Sequence, residues 1–204
     1  MFGRWQSPLP CGPQVLPGIY TVKLTVGDKI QEKRVEVRVD PTVKISPAEL
    51  QAQLDLALKL RDLVSPVNDG LRVLDSIKQQ VEQIERVGKD RLGEMPADVT
   101  KELDNYKKKL TDLSKEFAVD PEESIGGSQK FADLLNGLYQ NISGGNFAPT
   151  ATMRENFEIL KTESPGKIAQ INKFITGDTA EINKTLQKSG LAIIITGKPI
   201  EQVK

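Results

Sequence analysis

Apolar residues recur along this chain with two different periods, and the change from one to the other divides it. Between residues 15 and 40 the period is two. Ile19 or Tyr20, Val22, Leu24 and Val26 alternate with polar residues, and Val35, Val37 and Val39 do the same, as strands with one buried face do. Gly27 and Asp28 stand between the two runs, so the segment is expected to form a β-hairpin. Pro17 with Gly18 supplies a turn before it, and Asp40 with Pro41 closes it. Two strands alone are marginal in water, because no second layer buries their apolar face. The hairpin is therefore expected to be marginally ordered or laid against the nearest end of whatever follows.

From Ser46 to Val87 the period becomes helical. Leu50, Leu54, Leu58, Val64, Val67, Leu71, Leu74, Ile77, Val81 and Ile84 recur at helical spacing and share one side of an amphipathic helix of about forty residues. Ser46, Pro47 and Glu49 are its start: a capping side chain, a proline where no amide hydrogen is needed, and an acid three residues after the cap. Gly88 is the expected stop. Pro66 removes a backbone hydrogen bond and crowds the carbonyl four residues earlier, so a kink or break is expected near Val64 and Ser65.

Two more legs of similar length follow. After a turn around Gly88 to Glu94, Pro96 opens a helix in which Val99, Leu103, Tyr106, Leu110, Leu113 and Phe117 step by four and three, a heptad seam. DPEESIGG interrupts, and Phe131, Leu134, Leu135, Leu138 and Ile142 resume a helix ending at Gly144 and Gly145. Pro149 suits a first helical turn. Met153, Phe157, Leu160, Ile168, Ile171 and Ile175 then form leg three, with expected breaks around Ser164 to Gly166 and at Gly177. Asp178 is the expected cap of a final helix bearing Ile182 and Leu186. A leg of about forty residues measures roughly 60 Å, and short connections make neighbours antiparallel. The predicted fold is mainly α: an N-terminal hairpin (15–41) after an irregular segment (1–14), then an elongated up-down-up bundle (46–189). In the tail (190–204), the run Leu191 to Ile195 either packs on the bundle or forms a short strand.

Composition narrows the function classes. With 38% hydrophobic and 27% charged residues the chain is an ordinary globular sequence able to bury a core. Basic and acidic residues balance at 28 each, which gives no field to attract nucleic acid or anionic lipid. No run of eighteen apolar residues occurs, so no membrane span is expected, and MFGRWQSPLPCG lacks the hydrophobic centre of a secretion signal. Cys11 is alone and forms no internal disulfide.

Candidate chemistry is sparse. The absence of histidine removes histidine triads, histidine-ligated metals and the commonest general base. Glu122 and Glu123 are paired carboxylates, but they sit side by side in a polar linker with nothing to raise one pKa, so a solvated linker is the better reading. The glycines at 126–127 and 144–145 lack the Gly-Lys-Ser/Thr sequel of a phosphate cradle and read as turns. Lys107 to Lys109 are flanked by acids and read as a solvated face. Asn141-Ile-Ser and Asn183-Lys-Thr fit a glycosylation sequon, with chance the better explanation. No catalytic, cofactor or metal residue is assigned.

GPQVLPGIYTVKLTV, then EVRVDPTVKISPAEL running into a long helix, resembles the C-terminal region of large secreted bacterial proteins carrying a sialidase-type or sortilin-type repeat β-propeller. GLYQNISGGNFAPTATMRENF and EINKTLQKSGL are similar to the same tail. The resemblance spans residues 12 to 192 and implies that the hairpin ends an immunoglobulin-like or fibronectin-like sandwich, with helices following. Taken without the helices, the hairpin fits a generic sandwich edge equally well. No Ser-x-Asp-x-Gly-x-x-x-Trp blade motif occurs, so the propeller's glycosidase-like or ligand-binding roles do not transfer, and Pro66 is a further departure. The expected function is a non-catalytic spacer, anchor or oligomerisation module, with a protein or the propeller of a parent protein as partner and a monomer favoured. A coiled-coil adaptor binding partner helices is the alternative, and a hydrolase by association is the weakest reading.

Overall fold

The structure, a computed structural model, describes residues 12–118 and 129–201. The expected irregular segment 1–14 lies mostly outside them. Strands β1 (Gly18–Val26) and β2 (Lys29–Val37) pair antiparallel, with Tyr20 opposite Val35 and Val26 opposite Lys29. The two-residue turn has Gly27 at φ 57° and no positive φ at Asp28. That is the pattern of a II′ turn, whose first central position needs a conformation glycine adopts without strain.

The helices are α1 (Pro47–Leu92), α2 (Ala97–Phe117), α3 (Phe131–Ser143), α4 (Ala151–Lys173) and α5 (Thr179–Lys188), with a π-helical turn at Phe174–Asp178 joining the last two. Ser46 caps α1 as expected: its Oγ accepts from Glu49 N–H, and the Glu49 carboxylate accepts from Ser46 N–H at 2.8 Å. The up-down-up course follows from the contacts. Gln53 of α1 meets Ile142, Asn68 meets Asn136 and Glu85 meets Lys107, so α2 and α3 run against α1. Gly70 lies against Ile171, and Gly88 against Leu191 beyond α5, so the third leg runs with α1. One continuous core fills the space between the legs, including Leu60, Ile77, Val81, Leu103, Leu135, Ile168 and Leu186. Burying such a side chain is worth roughly 1.5 to 3 kcal/mol.

Several expected boundaries are corrected, each because tertiary packing overrides a local breaker. Gly88 does not stop α1. It is buried within the C-terminal turns of the helix, where Met95 and Leu191 press so close that an added Cβ would sit 2.9 Å from the Met95 sulfur, and the helix ends instead at Gly93 with φ 73°. Pro66 does not break α1, nor does Pro165 break α4. Pro66 is buried in the bundle while Pro165 is exposed, and the two prolines line one groove with Phe157 and Ile168. Gly177 does not end leg three. The chain passes through one π turn, in which Thr179 N–H donates to Phe174 C=O. Asp178 is therefore helical and caps nothing; its carboxylate takes Lys109 at 2.5 Å. Thr150, one residue after Pro149, caps α4 by accepting from Met153 N–H at 3.2 Å.

The buried stripe at the start of α1 is rotated from the expected one. Gln53, Leu56, Ala57 and Leu60 are buried, while Leu50, Leu54 and Leu58 are half-buried. Of the heptad seam read in α2, Val99, Leu103, Tyr106, Leu110 and Phe117 are buried, and Leu113 is half-buried against the core.

Candidate functional site

The hairpin is where the molecule leaves most apolar surface uncovered. Alternation and register place Tyr20, Val22, Leu24, Val26 and Val35 on one face, with Lys33, Gln31 and Lys29 opposite Val22, Leu24 and Val26, and the five apolar residues are all exposed, Leu24 at 59% and Val26 at 66%. Of the two expectations for the hairpin, marginal order or packing against the bundle end, the second is not met for this face. The approach to the hairpin meets the bundle, where Pro13 to Leu16 lie beside Leu50, Gln53, Leu54 and Ile142. The other face carries Lys23 and Glu32 at 3.9 Å, with Ile19 and Ile30 near its ends. The Tyr20 hydroxyl donates to the Leu16 carbonyl at 2.7 Å. A tyrosine at the start of a strand, bonding back to backbone a few residues upstream, is a corner device of immunoglobulin-like sandwiches.

A second site was not foreseen in the sequence. After α5 the chain reverses at Gly190, φ 67°, where Leu191 N–H donates to Leu186 C=O at 3.0 Å and Gly190 N–H to Gln187 C=O at 3.1 Å, a Schellman turn. Residues 191–201 then run without regular structure along the bundle, held by three side-chain amides. Asn183 of α5 accepts Ile194 N–H and donates to Ile194 C=O, both at 2.8 Å. Gln80 of α1 does the same for Ile195 at 2.8 and 2.9 Å, and Asn172 of α4 for Ile200 at 2.7 and 2.9 Å. Of the two readings open for Leu191 to Ile195, packing on the bundle is the one observed. Asn183, read from sequence as part of a chance sequon, is thus engaged by its own chain. The faint signal for these amides is position: Gln80, Asn172 and Asn183 each adjoin a core residue, Val81, Ile171 and Ile182.

The remaining candidates are structural. Glu122, Glu123 and the glycines at 126–127 lie outside the described residues. Gly144 ends α3, and the buried Gln53 amide donates to Ile142 C=O at 2.6 Å and to Gly145 C=O, which ties that end to α1. Lys107 pairs with Glu85 at 2.5 Å and Asp104 at 2.8 Å, and Lys109 with Asp178, so two of the three lysines brace the bundle. Tyr106 and Thr179 share a buried hydroxyl contact at 2.7 Å, and burial pushes the Tyr106 phenol up to about 12.

A groove of about 340 Å³ beside the two prolines falls in the size range of ligand pockets. Its wall carries Lys59, Asp62, Glu158 and Lys161; Glu158 and Lys161 lie 3.8 Å apart, and Lys161 also sits over the Phe157 ring. Among the described residues no buried side-chain polar atom lacks a partner, no cluster of metal-ligating residues occurs, and no helix is long and apolar enough to cross a membrane. No family model, curated protein or solved structure matches the chain.

Proposed function

We propose that this chain is a non-catalytic structural or interaction module: the C-terminal part of a larger secreted β-propeller protein, in which the helical bundle serves as spacer, anchor or oligomerisation unit. The observation that carries the proposal is the exposed apolar row of Tyr20, Val22, Leu24 and Val26 on β1, with Val35 beside it, on a hairpin whose apolar residues its own bundle does not cover. Such a face is stabilised by a second β-layer, and a sandwich supplied by the parent protein is that layer. The Tyr20 corner supports a sandwich origin, as does the order of elements, since the last two strands of an immunoglobulin-like sandwich are neighbours in one sheet. In this reading the compartment is that of the parent, extracellular or periplasmic. The adaptor reading has less support, because the seam of α2 is already buried within the chain.

Sequencing the DNA immediately upstream of the first codon tests the proposal. A reading frame that continues upstream into alternating strands and propeller repeats is the expected result. An in-frame stop codon with no such strands before it overturns the proposal.

A further inference from the structure

The segment 191–200 is bound to the bundle as a peptide is bound to a receptor. Six hydrogen bonds from Gln80, Asn172 and Asn183 go to main-chain atoms of Ile194, Ile195 and Ile200. Consecutive residues of an extended chain turn their N–H and C=O groups to opposite edges. Asn183 on α5 and Gln80 on α1 take both main-chain groups of the consecutive residues Ile194 and Ile195, and supply from helices what neighbouring strands supply in a sheet. Recognition of this kind reads extension first and sequence second.

The sequence requirement is correspondingly small. Ile194 is inserted into the core at 3% exposure, and Leu191 and Ile200 are half-buried. Ala192, Ile193, Ile195, Gly197, Lys198 and Pro199 face solvent. The site thus asks for a stretch with no regular structure of its own, a β-branched aliphatic residue at the Ile194 position and a second aliphatic residue six positions later, and it accepts a charge where the segment is exposed, as at Lys198.

We propose that the groove in which Gln80 of α1, Asn172 of α4 and Asn183 of α5 hold residues 191–200 is a peptide-binding site, and that an extended aliphatic segment of a partner protein occupies it by displacing those residues. The segment now in the groove defines that partner's chemistry. It has no ladder or helix of its own to preserve its path once released, and glycines with positive φ flank its core, Gly190 at 67° and Gly197 at 74°. Tethering gives the internal segment an effective concentration in the millimolar range. A free peptide therefore meets a site that is mostly filled, and its apparent affinity falls by the vacant fraction.

The probe is a fluorescent peptide of sequence LAIIITGKPI, residues 191–200, titrated into the full chain and followed by anisotropy. Ile194→Asp unseats the internal segment while leaving every groove residue in place. This variant, with helical circular dichroism retained, should bind the peptide at least about tenfold more tightly than the wild-type chain. Adding Asn183→Leu to it should cost about tenfold in peptide affinity through loss of the amide grip. A folded Ile194→Asp chain that takes up no peptide, or takes it up regardless of Asn183, overturns the proposal. So does exchange of the segment between copies, seen as a concentration-dependent doubling of mass with no peptide uptake. Hydrogen exchange on the wild-type chain decides the matter if the variant does not fold. The amides of Ile194, Ile195 and Ile200 should exchange by local release, well before those of residues 77–84. Exchange only with global unfolding shows a permanent strut and overturns the proposal.

Discussion

The hairpin and the 191–201 segment are both extended chain, and they satisfy opposite halves of what extended chain needs. In the hairpin the backbone is paired across a full ladder from Gly18–Val37 to Val26–Lys29, while the apolar side chains above it are wet. In the C-terminal segment there is no ladder, yet Ile194 is buried and its N–H and C=O are both bonded by Asn183. The difference shows that strand pairing and strand burial are separable. A turn with the right glycine secures pairing locally, whereas burial depends on a surface that only distant parts of the chain, or another chain, can provide. Stability should therefore be distributed unevenly, with the helices and the clamped segment sharing one core and the hairpin standing outside it.

The largest effect is expected at the centre of that core. Leu110 is buried at 4% exposure in the α2 seam, so Leu110→Asp combines a lost side chain with an unpaired buried charge. A loss of about 5 kcal/mol and a fall of about 15 °C in melting temperature should follow. Thermal melts read by circular dichroism check this, and an unchanged melt would mean the seam is not buried. Next is the clamp. Asn183→Ala leaves the N–H and C=O of a buried residue without partners, which costs about 2 kcal/mol. The melt should drop by about 5 °C, with exchange at Ile194 and Leu191 quickened well beyond that of α2, which rises only by the loss of global stability. Exchange accelerated equally everywhere would place the segment inside the global cooperative unit.

These contrasts also separate what the sequence disclosed from what it hid. The hairpin, its turn at Gly27, the Ser46 cap and the α2 seam were legible because each is written in consecutive residues: alternation, a capping box, four-three spacing. Gly88, Pro66, Ser164 to Gly166 and Gly177 misled because a breaker states only a local cost. Here Met95 and Leu191 pack on Gly88, the two prolines share a groove, and a π turn carries the chain past Gly177. The amide clamp was hidden for a related reason. Gln80 and Ile195 are partners across 115 positions, and nothing near either residue announces the other.

A smaller effect separates core from surface by pH. The buried Tyr106 phenol is raised from 10.0 to about 12, chiefly by burial; the Asp178 charge also raises it, and the Thr179 hydrogen bond acts the other way. The folded state then holds the phenolic proton where the unfolded chain has released it. Stability from this group is complete below pH 10 and declines as pH rises towards 12. Melts from pH 9 to pH 11.5 should show this decline in the wild-type chain and a shallower one in Tyr106→Phe. Equal slopes would mean the phenol ionises as freely when folded as when unfolded.

The smallest effect is expected at the hairpin. Leu24 is 59% exposed and its cross-strand neighbour is Gln31. Leu24→Asp therefore removes no core contact, and the bundle's melting should move by less than about 0.5 kcal/mol equivalent, the range of ordinary surface changes. The same reasoning fixes the exchange pattern. Amides of residues 20–37 are held by one ladder with solvent on both faces, so they should open by local fraying, while those of residues 99–117 wait for the bundle to unfold. A wild-type chain whose hairpin amides are as protected as the α2 amides, combined with a Leu24→Asp melt several degrees lower, would show the two regions to be one cooperative unit. The contrast sharpens if strands of a parent sandwich are added. Leu24 would then be covered, and Leu24→Asp, nearly silent in this chain, should become as damaging as a core substitution, at about 3 kcal/mol or more.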